Sequence, residues 1–175
     1  MKFKTLPDIE TNRLWLKKVE PKHIDVIFKL RSSAIVAKYI QRPLYKNRKE
    51  ARLYIDKVTN QLTNDESITW VISLKTENRE VGTICLWNFS EDKKIAEVGF
   101  DLLPEYFNMG IMTEASEAVI NCGFNSLQLN TIEAFTKKEN IASINLILKQ
   151  GFVLQPDRKD PMVTNNAIYI LKRDR

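Results

Sequence analysis

A single α+β domain, built on one mixed but mostly antiparallel sheet flanked by helices, is the architecture that this sequence predicts. Three observations carry the expectation. The chain has 175 residues, enough for one substantial core, and shows no internal repeat, low-complexity segment or linker, so residues 1–175 read as one domain. In its middle, three segments of strand character follow one another across short polar turns, which predicts an antiparallel meander. On either side, segments of helical spacing alternate with further strands. About seven strands result.

In chain order, residues 9–19 read as the first strand, with Leu14 and Leu16 alternating against Arg13, Trp15 and Lys17. Pro21 then opens a helix in which Ile24, Ile27, Phe28 and Arg31 recur at helical spacing. His23 lies in the first turn of that helix and is expected to face solvent. A second helical piece covers residues 35–40 and ends at Arg42-Pro43-Leu44. Across residues 48–62, Ala51, Tyr54, Ile55, Val58 and Leu62 mark one face of an amphipathic helix.

The meander begins with Ile68, Trp70, Ile72 and Leu74, alternating with Thr69, Val71 and Ser73. Residues 81–89 form its second strand and residues 95–103 its third. The third is apolar on nearly both faces, which places it centrally in the sheet. A helix follows from 111 to about 126, with Ile111, Ala115, Ala118 and Cys122 on one face. Residues 131–136 are a strand and 141–149 a helix, stopped by a left-handed Gly151. Residues 152–154 and 167–171 close the fold around a polar loop at 155–166.

Composition narrows the function. No apolar run approaches the roughly 20 residues of a membrane span, and the first residues lack the apolar core of a signal peptide. There are two cysteines, Cys85 and Cys122, and one histidine, in no ligand-like spacing. A metal site is therefore not expected, and a reducing cytoplasm is. Both cysteines read as core residues. The net charge of +5 is spread over scattered basic residues that no aromatics interleave. That pattern reads as a solvated, mildly basic surface or, more sharply, as one that attracts an anionic cofactor or a ribosome-like partner, and it carries no readable nucleic-acid motif.

Residues 101–115 hold the strongest local signal. The end of an apolar strand is broken by Pro104, turns around Asn108 and Gly110, and enters a helix. The first N–H groups of a helix lack internal partners, and the helix dipole adds partial positive charge, so such a junction suits a phosphate.

Several segments, in this order, resemble the GNAT superfamily of N-acetyltransferases, and within it the RimJ/RimL branch that acetylates ribosomal-protein N-termini. They are the run from Asp8 to Leu16, Ala96-Glu97-Val98-Gly99-Phe100, and Leu103-Pro104-Glu105-Tyr106-Phe107 with Gly110-Ile111-Met112-Thr113-Glu114-Ala115. Asn140, Ser143 and Gly151-Phe152 complete the set. The family's diphosphate loop has Gln or Arg, then two glycine-like positions, where this chain has Glu105, Asn108 and Gly110. Asparagine is the residue best able to replace glycine at positive φ.

The resemblance implies a V-shaped cleft between strands 95–103 and 131–136 that binds acetyl-CoA. Its diphosphate would be held by the amides of Asn108, Met109, Gly110, Ile111, Met112 and Thr113. The pantetheine arm would pair with strand backbone around 101–103, and the thioester carbonyl with the N–H of Leu102 or Leu103. Asn140 would bond the arm or simply cap its helix. Glu97, a carboxylate in an apolar strand on the side of Gly99 and Asp101, would act as base or as an amine anchor. Ser143 would contact the cofactor or protonate the leaving thiolate, because Ile147 stands where many family members have tyrosine. Trp87, Asn88 and residues 39–44 would line the amine pocket, although Trp87 reads equally as core.

The implied activity is acetyl transfer to a primary amine in a ternary complex, by a cytoplasmic monomer or homodimer. The acceptor would be a ribosomal or other protein N-terminus, with a polyamine or amino sugar as the alternative. A non-catalytic acyl-CoA-binding module, or less readily a nucleic-acid-binding domain, are the competing readings.

Overall fold

The structure, a computed structural model, describes residues 2–173. The expected first strand is divided into β1 (Ile9–Glu10) and β2 (Leu14–Lys18). The polar triplet Thr11-Asn12-Arg13 makes the turn between them. The Thr11 amide donates to the Leu14 carbonyl at 3.0 Å, and the Leu14 amide donates to the Thr11 hydroxyl at 2.9 Å. Helices α1 (Ile24–Ser32), α2 (Ala34–Ala37) and α3 (Arg48–Thr63) follow. Ser33 and Asn47 cap α2 and α3 by accepting the amides of Val36 and Glu50.

The meander comprises β3 (Ile68–Leu74), β4 (Arg79–Trp87) and β5 (Ile95–Leu102). Then come α4 (Ile111–Asn121), prolonged by a π-turn over Cys122–Ser126, and β6 (Thr131–Lys137). The chain closes with α5 (Ile141–Lys149), β7 (Val153–Leu154) and β8 (Asn166–Lys172). The eight strands form one open sheet in the order β1-β2-β3-β4-β5-β6-β8-β7. Every neighbouring pair is antiparallel except β5 with β6.

Strand alternation sorts the sheet's two faces. On one, Leu16, Trp70, Ile84, Leu86 and Ile132 are fully buried beneath α4 and its π-turn. Gly123 in that turn lies so near the sheet that a Cβ there would stand 3.0 Å from Ile132 and 3.5 Å from Leu86. On the other, Thr83, Cys85 and Trp87 of β4 pair with Asp101, Gly99 and Glu97 of β5. Arg31 of α1 and Tyr54 of α3 lie close enough to this second face to exchange charge effects with Cys85 and Asp101. The first face is therefore mainly apolar, whereas the second carries Cys85, Glu97 and Asp101.

His23 corrects the expectation of a solvent-facing position: it is 3% exposed. Its Nδ1 accepts the Glu20 amide at 2.9 Å, in a reciprocal cap that satisfies free donors at the helix start. Burial pushes its pKa down, as for an imidazole kept neutral. It serves the fold.

β4 and β5 approach most closely at Gly82, where a Cβ would stand 2.5 Å from the Asp101 carbonyl oxygen. Gly82→Ala is therefore expected to cost about 1–3 kcal/mol through forced backbone movement. Thermal unfolding should show it as a drop of about 2–4 °C per kcal/mol. An unchanged midpoint would contradict this close approach.

Candidate active site

The sheet opens in one place. β5 and β6 pair only at Ile95↔Thr131, Ala96↔Ile132 and Glu97↔Glu133. Beyond Glu97, β5 stays with β4 as far as Leu102, while β6 stays with β8 as far as Lys137. Each strand thus follows its antiparallel partner, and a gap separates them. The Leu103 amide donates to the Val81 carbonyl at 2.9 Å. Hydrogen-bonded positions alternate along an antiparallel strand, so Glu97, Gly99, Asp101 and Leu103 direct their backbone groups toward β4. Val98, Phe100 and Leu102 direct theirs into the gap. Of the two donors expected near the thioester, Leu103 is spent on Val81 and Leu102 is free.

At the open end, the Phe107 amide closes a short turn on the Pro104 carbonyl at 3.1 Å, and the Glu114 amide starts the α4 ladder on the Gly110 carbonyl at 3.1 Å. Between them, the amides of Asn108, Met109, Gly110, Ile111, Met112 and Thr113 have no acceptor among the described residues. Asn108 has φ 61° and Gly110 φ 72°, so the asparagine takes the left-handed conformation that the turn requires. Glu105 lines a separate cavity, together with Lys29, Arg79, Asp25 and Glu80. A row of unspent donors at the start of an eleven-residue helix fits a diphosphate.

A clamp from the other end of the chain fixes this turn. Glu114 accepts the Thr11 hydroxyl at 2.6 Å, the Arg13 amide at 2.8 Å and Arg13 Nε at 2.6 Å. Arg13 Nη1 in turn donates to the Met109 carbonyl at 3.0 Å. Burial works against the Glu114 charge, but these bonds outweigh it and hold its carboxyl below the usual range.

Glu97 is the last paired residue before the gap. Burial, with smaller contributions from Asp160 and Glu133, pushes its pKa up to about 7 against a 3.4 Å hydrogen bond from Asn88. Glu133 is itself held by Arg158 at 2.6 Å. Opposite Glu97 on β4 stands Trp87, 45% exposed. The core reading of Trp87 is thereby overturned, since nearly half of the side chain is open to solvent. Burial pushes the Cys85 thiol up to about 12, so it is no nucleophile.

Asn140 caps α5, its Oδ1 accepting the Ser143 amide at 3.3 Å, while its side-chain nitrogen makes no bond among the described residues. The Ser143 hydroxyl is likewise unspent. Both residues follow the end of β6, as the loop with free amides follows the end of β5. The parallel pair therefore directs the starts of α4 and α5 toward the same side of the sheet, and Gln150, at the far end of α5, ties that helix to the first turn of α4 by donating to the Thr113 carbonyl at 3.2 Å.

The sequence pattern of the family described as "Acetyltransferase (GNAT) domain" matches residues 13–153. The chain belongs to that family. It is an N-acetyltransferase of the GNAT type, a class that draws its acetyl group from acetyl-CoA. It is similar to the uncharacterized N-acetyltransferase YoaA of Bacillus subtilis, 27% identical over 163 residues, or 93% of this chain and 92% of the relative. N-acetyltransferase p20 of Bacillus licheniformis is 30% identical over 142 residues, covering 81% and 80% of the two chains. In fold it resembles RimL, a ribosomal L7/L12 alpha-N-protein acetyltransferase solved with coenzyme A. That match has a TM-score of 0.83 at 15% identity, over 95% of this chain and 98% of the other.

In this GNAT fold Glu97 and Leu102 lie on β5, the 108–113 amides follow β5, and Asn140 and Ser143 follow β6, the two strands that part. Sequence reasoning missed the clamp of Thr11, Arg13 and Glu114. Its partners lie about a hundred positions apart, and no local pattern links them.

Two variants test the loop. Gly110→Val, which forces a β-branched residue to φ 72°, should raise KM for acetyl-CoA at least tenfold, the left-handed strain alone being about 1–2 kcal/mol. Arg13→Ala should raise the same KM by a smaller factor with kcat little changed, and Arg13→Lys should restore part of it. A fall in kcat without a change in KM would place the clamp's role elsewhere.

Proposed function

We propose that this enzyme acetylates the α-amine of a protein or peptide N-terminus, in a ternary complex with acetyl-CoA and within the cytoplasm. The observation that carries the reading is a half-buried carboxylate at the point where β5 and β6 part, its pKa pushed up to about 7 by burial. A base performs best when its pKa is close to that of its target and to the working pH. An α-amine has a pKa of about 7.7–8.0, whereas a lysine lies near 10.4. Glu97 matches the first. The fold shared with an enzyme that acts on a ribosomal-protein N-terminus supports the same acceptor class.

Bound acetyl-CoA would supply the thioester carbonyl that the amine attacks and the thiolate that leaves. Glu97 takes the proton from the amine, directly or through one water, as the N–C bond forms. The Leu102 amide, directed into the gap, would donate to the carbonyl oxygen. The 108–113 amides hold the diphosphate, and the free nitrogen of Asn140 bonds the pantetheine arm. Ser143 has an unspent hydroxyl with which to meet the thiolate, while Ile147, buried and apolar, has none. The non-catalytic reading loses its support, because Asn108 keeps the turn and Glu97 has a base's pKa.

Glu97→Gln should lower kcat about 100-fold or more, the scale of a lost general base, with KM for acetyl-CoA unchanged. In the wild type, a base must be deprotonated to act, so kcat/KM should rise through an inflection near pH 7. The variant should lack that inflection. Thiol release measured with free-amine peptides, polyamines and aminoglycosides should be fastest with the peptides. Turnover confined to polyamines or aminoglycosides would refute the N-terminal acceptor.

A further inference from the structure

We infer that the acceptor carries an anionic group, a carboxylate or phosphate, on the order of 10 Å from its reacting amine, and that Arg31 and Lys57 bind it. The inference rests on the reading of Glu97 as the group that receives the amine's proton. It starts from a cavity of about 490 Å³ between α1, the segment after α2, and α3. Glu50, Leu53, Tyr54 and Lys57 form its α3 wall, a stripe at helical spacing. Arg31, in the last turn of α1, is its deeper cation.

The charges on this wall do not balance. Glu50, which accepts the Lys46 amide at 2.6 Å, offsets one of the two cations and leaves the lining with one positive charge in excess. Neither Arg31 nor Lys57 has a carboxylate within ion-pair distance among the described residues. The nearby carboxylate, Asp101, is taken by Arg42 at 2.9 Å, with both side chains largely buried. Arg31 is thus the surplus cation of this face. Its guanidinium lies 3.5 Å from the Tyr54 ring centroid and 5.5 Å from that of Tyr45, which fixes its plane. Its hydrogen-bond partners in the protein are tyrosines and not carboxylates: the Tyr45 hydroxyl at 3.4 Å, with Tyr54 beside it. Its remaining nitrogens are not sealed from solvent, whereas Arg42 Nε is.

A planar, pre-oriented guanidinium with unspent donors is suited to a carboxylate or phosphate. The flanking tyrosines and leucines give the rest of the acceptor an apolar wall, and the net positive charge of the lining disfavours a polyamine. The cavity also adjoins the proposed chemistry. Glu97, Gly99 and Asp101 alternate along one face of β5. Cys85, opposite Gly99, is close enough to feel Asp101, Glu97 and Arg31 together. At strand spacing, Gly99 and Asp101 lie about 7 and 13 Å from Glu97. An acceptor with its amine at Glu97 and its anion at Arg31 therefore spans about the length of a tripeptide.

A tripeptide library with free C-terminal carboxylates, set against the same library amidated, tests this with the full-length enzyme. Acetylation is read by mass spectrometry in competition, and binding without acetyl-CoA is read by calorimetry. The wild type should prefer the carboxylates by about tenfold or more in both, the effect of one charge-assisted hydrogen bond. Arg31→Met should abolish the preference, Arg31→Lys should keep part of it, and Lys57→Gln, at an exposed position, should reduce it. Equal acetylation of both libraries, or a preference that survives Arg31→Met, would overturn the anion site while leaving the acetyltransfer reading intact. Carboxylate binding that depends on Arg31 without acetylation of either library would support the anion site and overturn that reading. Neither binding nor acetylation would overturn both.

Discussion

The parting of β5 from β6 is the constraint on which the rest of the structure depends. Two parallel strands that begin as partners must bond along their whole length or leave polar backbone exposed. Here the ladder stops after Glu97↔Glu133, because each strand is committed to an antiparallel neighbour that carries it away. Val98, Phe100 and Leu102 then have backbone donors and acceptors without strand partners. Unmet backbone groups in a cleft invite a ligand with amides of its own, and the pantetheine arm of acetyl-CoA has them. Parallel orientation has a second consequence. It puts both strand ends, and so both following helix starts, on the same side of the sheet.

The same geometry divides the labour between the faces of the sheet. The face under α4 is apolar and closely packed, as Gly123 against Leu86 and Ile132 illustrates. It gives the helix start a rigid seat, and the Thr11–Arg13–Glu114 clamp holds the turn before it. The opposite face carries Glu97, Cys85 and Asp101, with Arg31 and Arg42 above them. Partial burial there raises the Glu97 pKa into the range of an amine's base, whereas the Arg42–Asp101 pair neutralises itself and leaves Arg31 unmatched. Cofactor and acceptor are thus approached from regions of different chemical character.

Much of this was legible in the sequence because it is local. The alternation of Ile68, Trp70, Ile72 and Leu74 is a two-residue period, and Pro104, Asn108 and Gly110 punctuate the turn where positive φ is needed. A carboxylate at 97 in an apolar run implied burial, and burial implied a raised pKa. What was missed is long-range or depends on a neighbour's shape. Nothing near His23 in the sequence marks it as buried against Glu20. Trp87 looked like core because it continues an apolar strand, and only the packed structure shows it to be nearly half exposed. The clamp joins residues about a hundred positions apart, and the surplus charge on Arg31 appears only after Arg42 is seen to occupy Asp101.

The central claim is that the gap and the free amides beside it form the acetyl-CoA site. Amide-resolved NMR during titration with coenzyme A tests it most directly, since each expected contact is a backbone N–H. The account predicts that the largest shifts fall on residues 108–113 and on Val98, Phe100 and Leu102, with Leu103 and Asp101 much less affected. Shifts concentrated around Arg31, Tyr45 and Tyr54, with residues 108–113 unmoved, would contradict it.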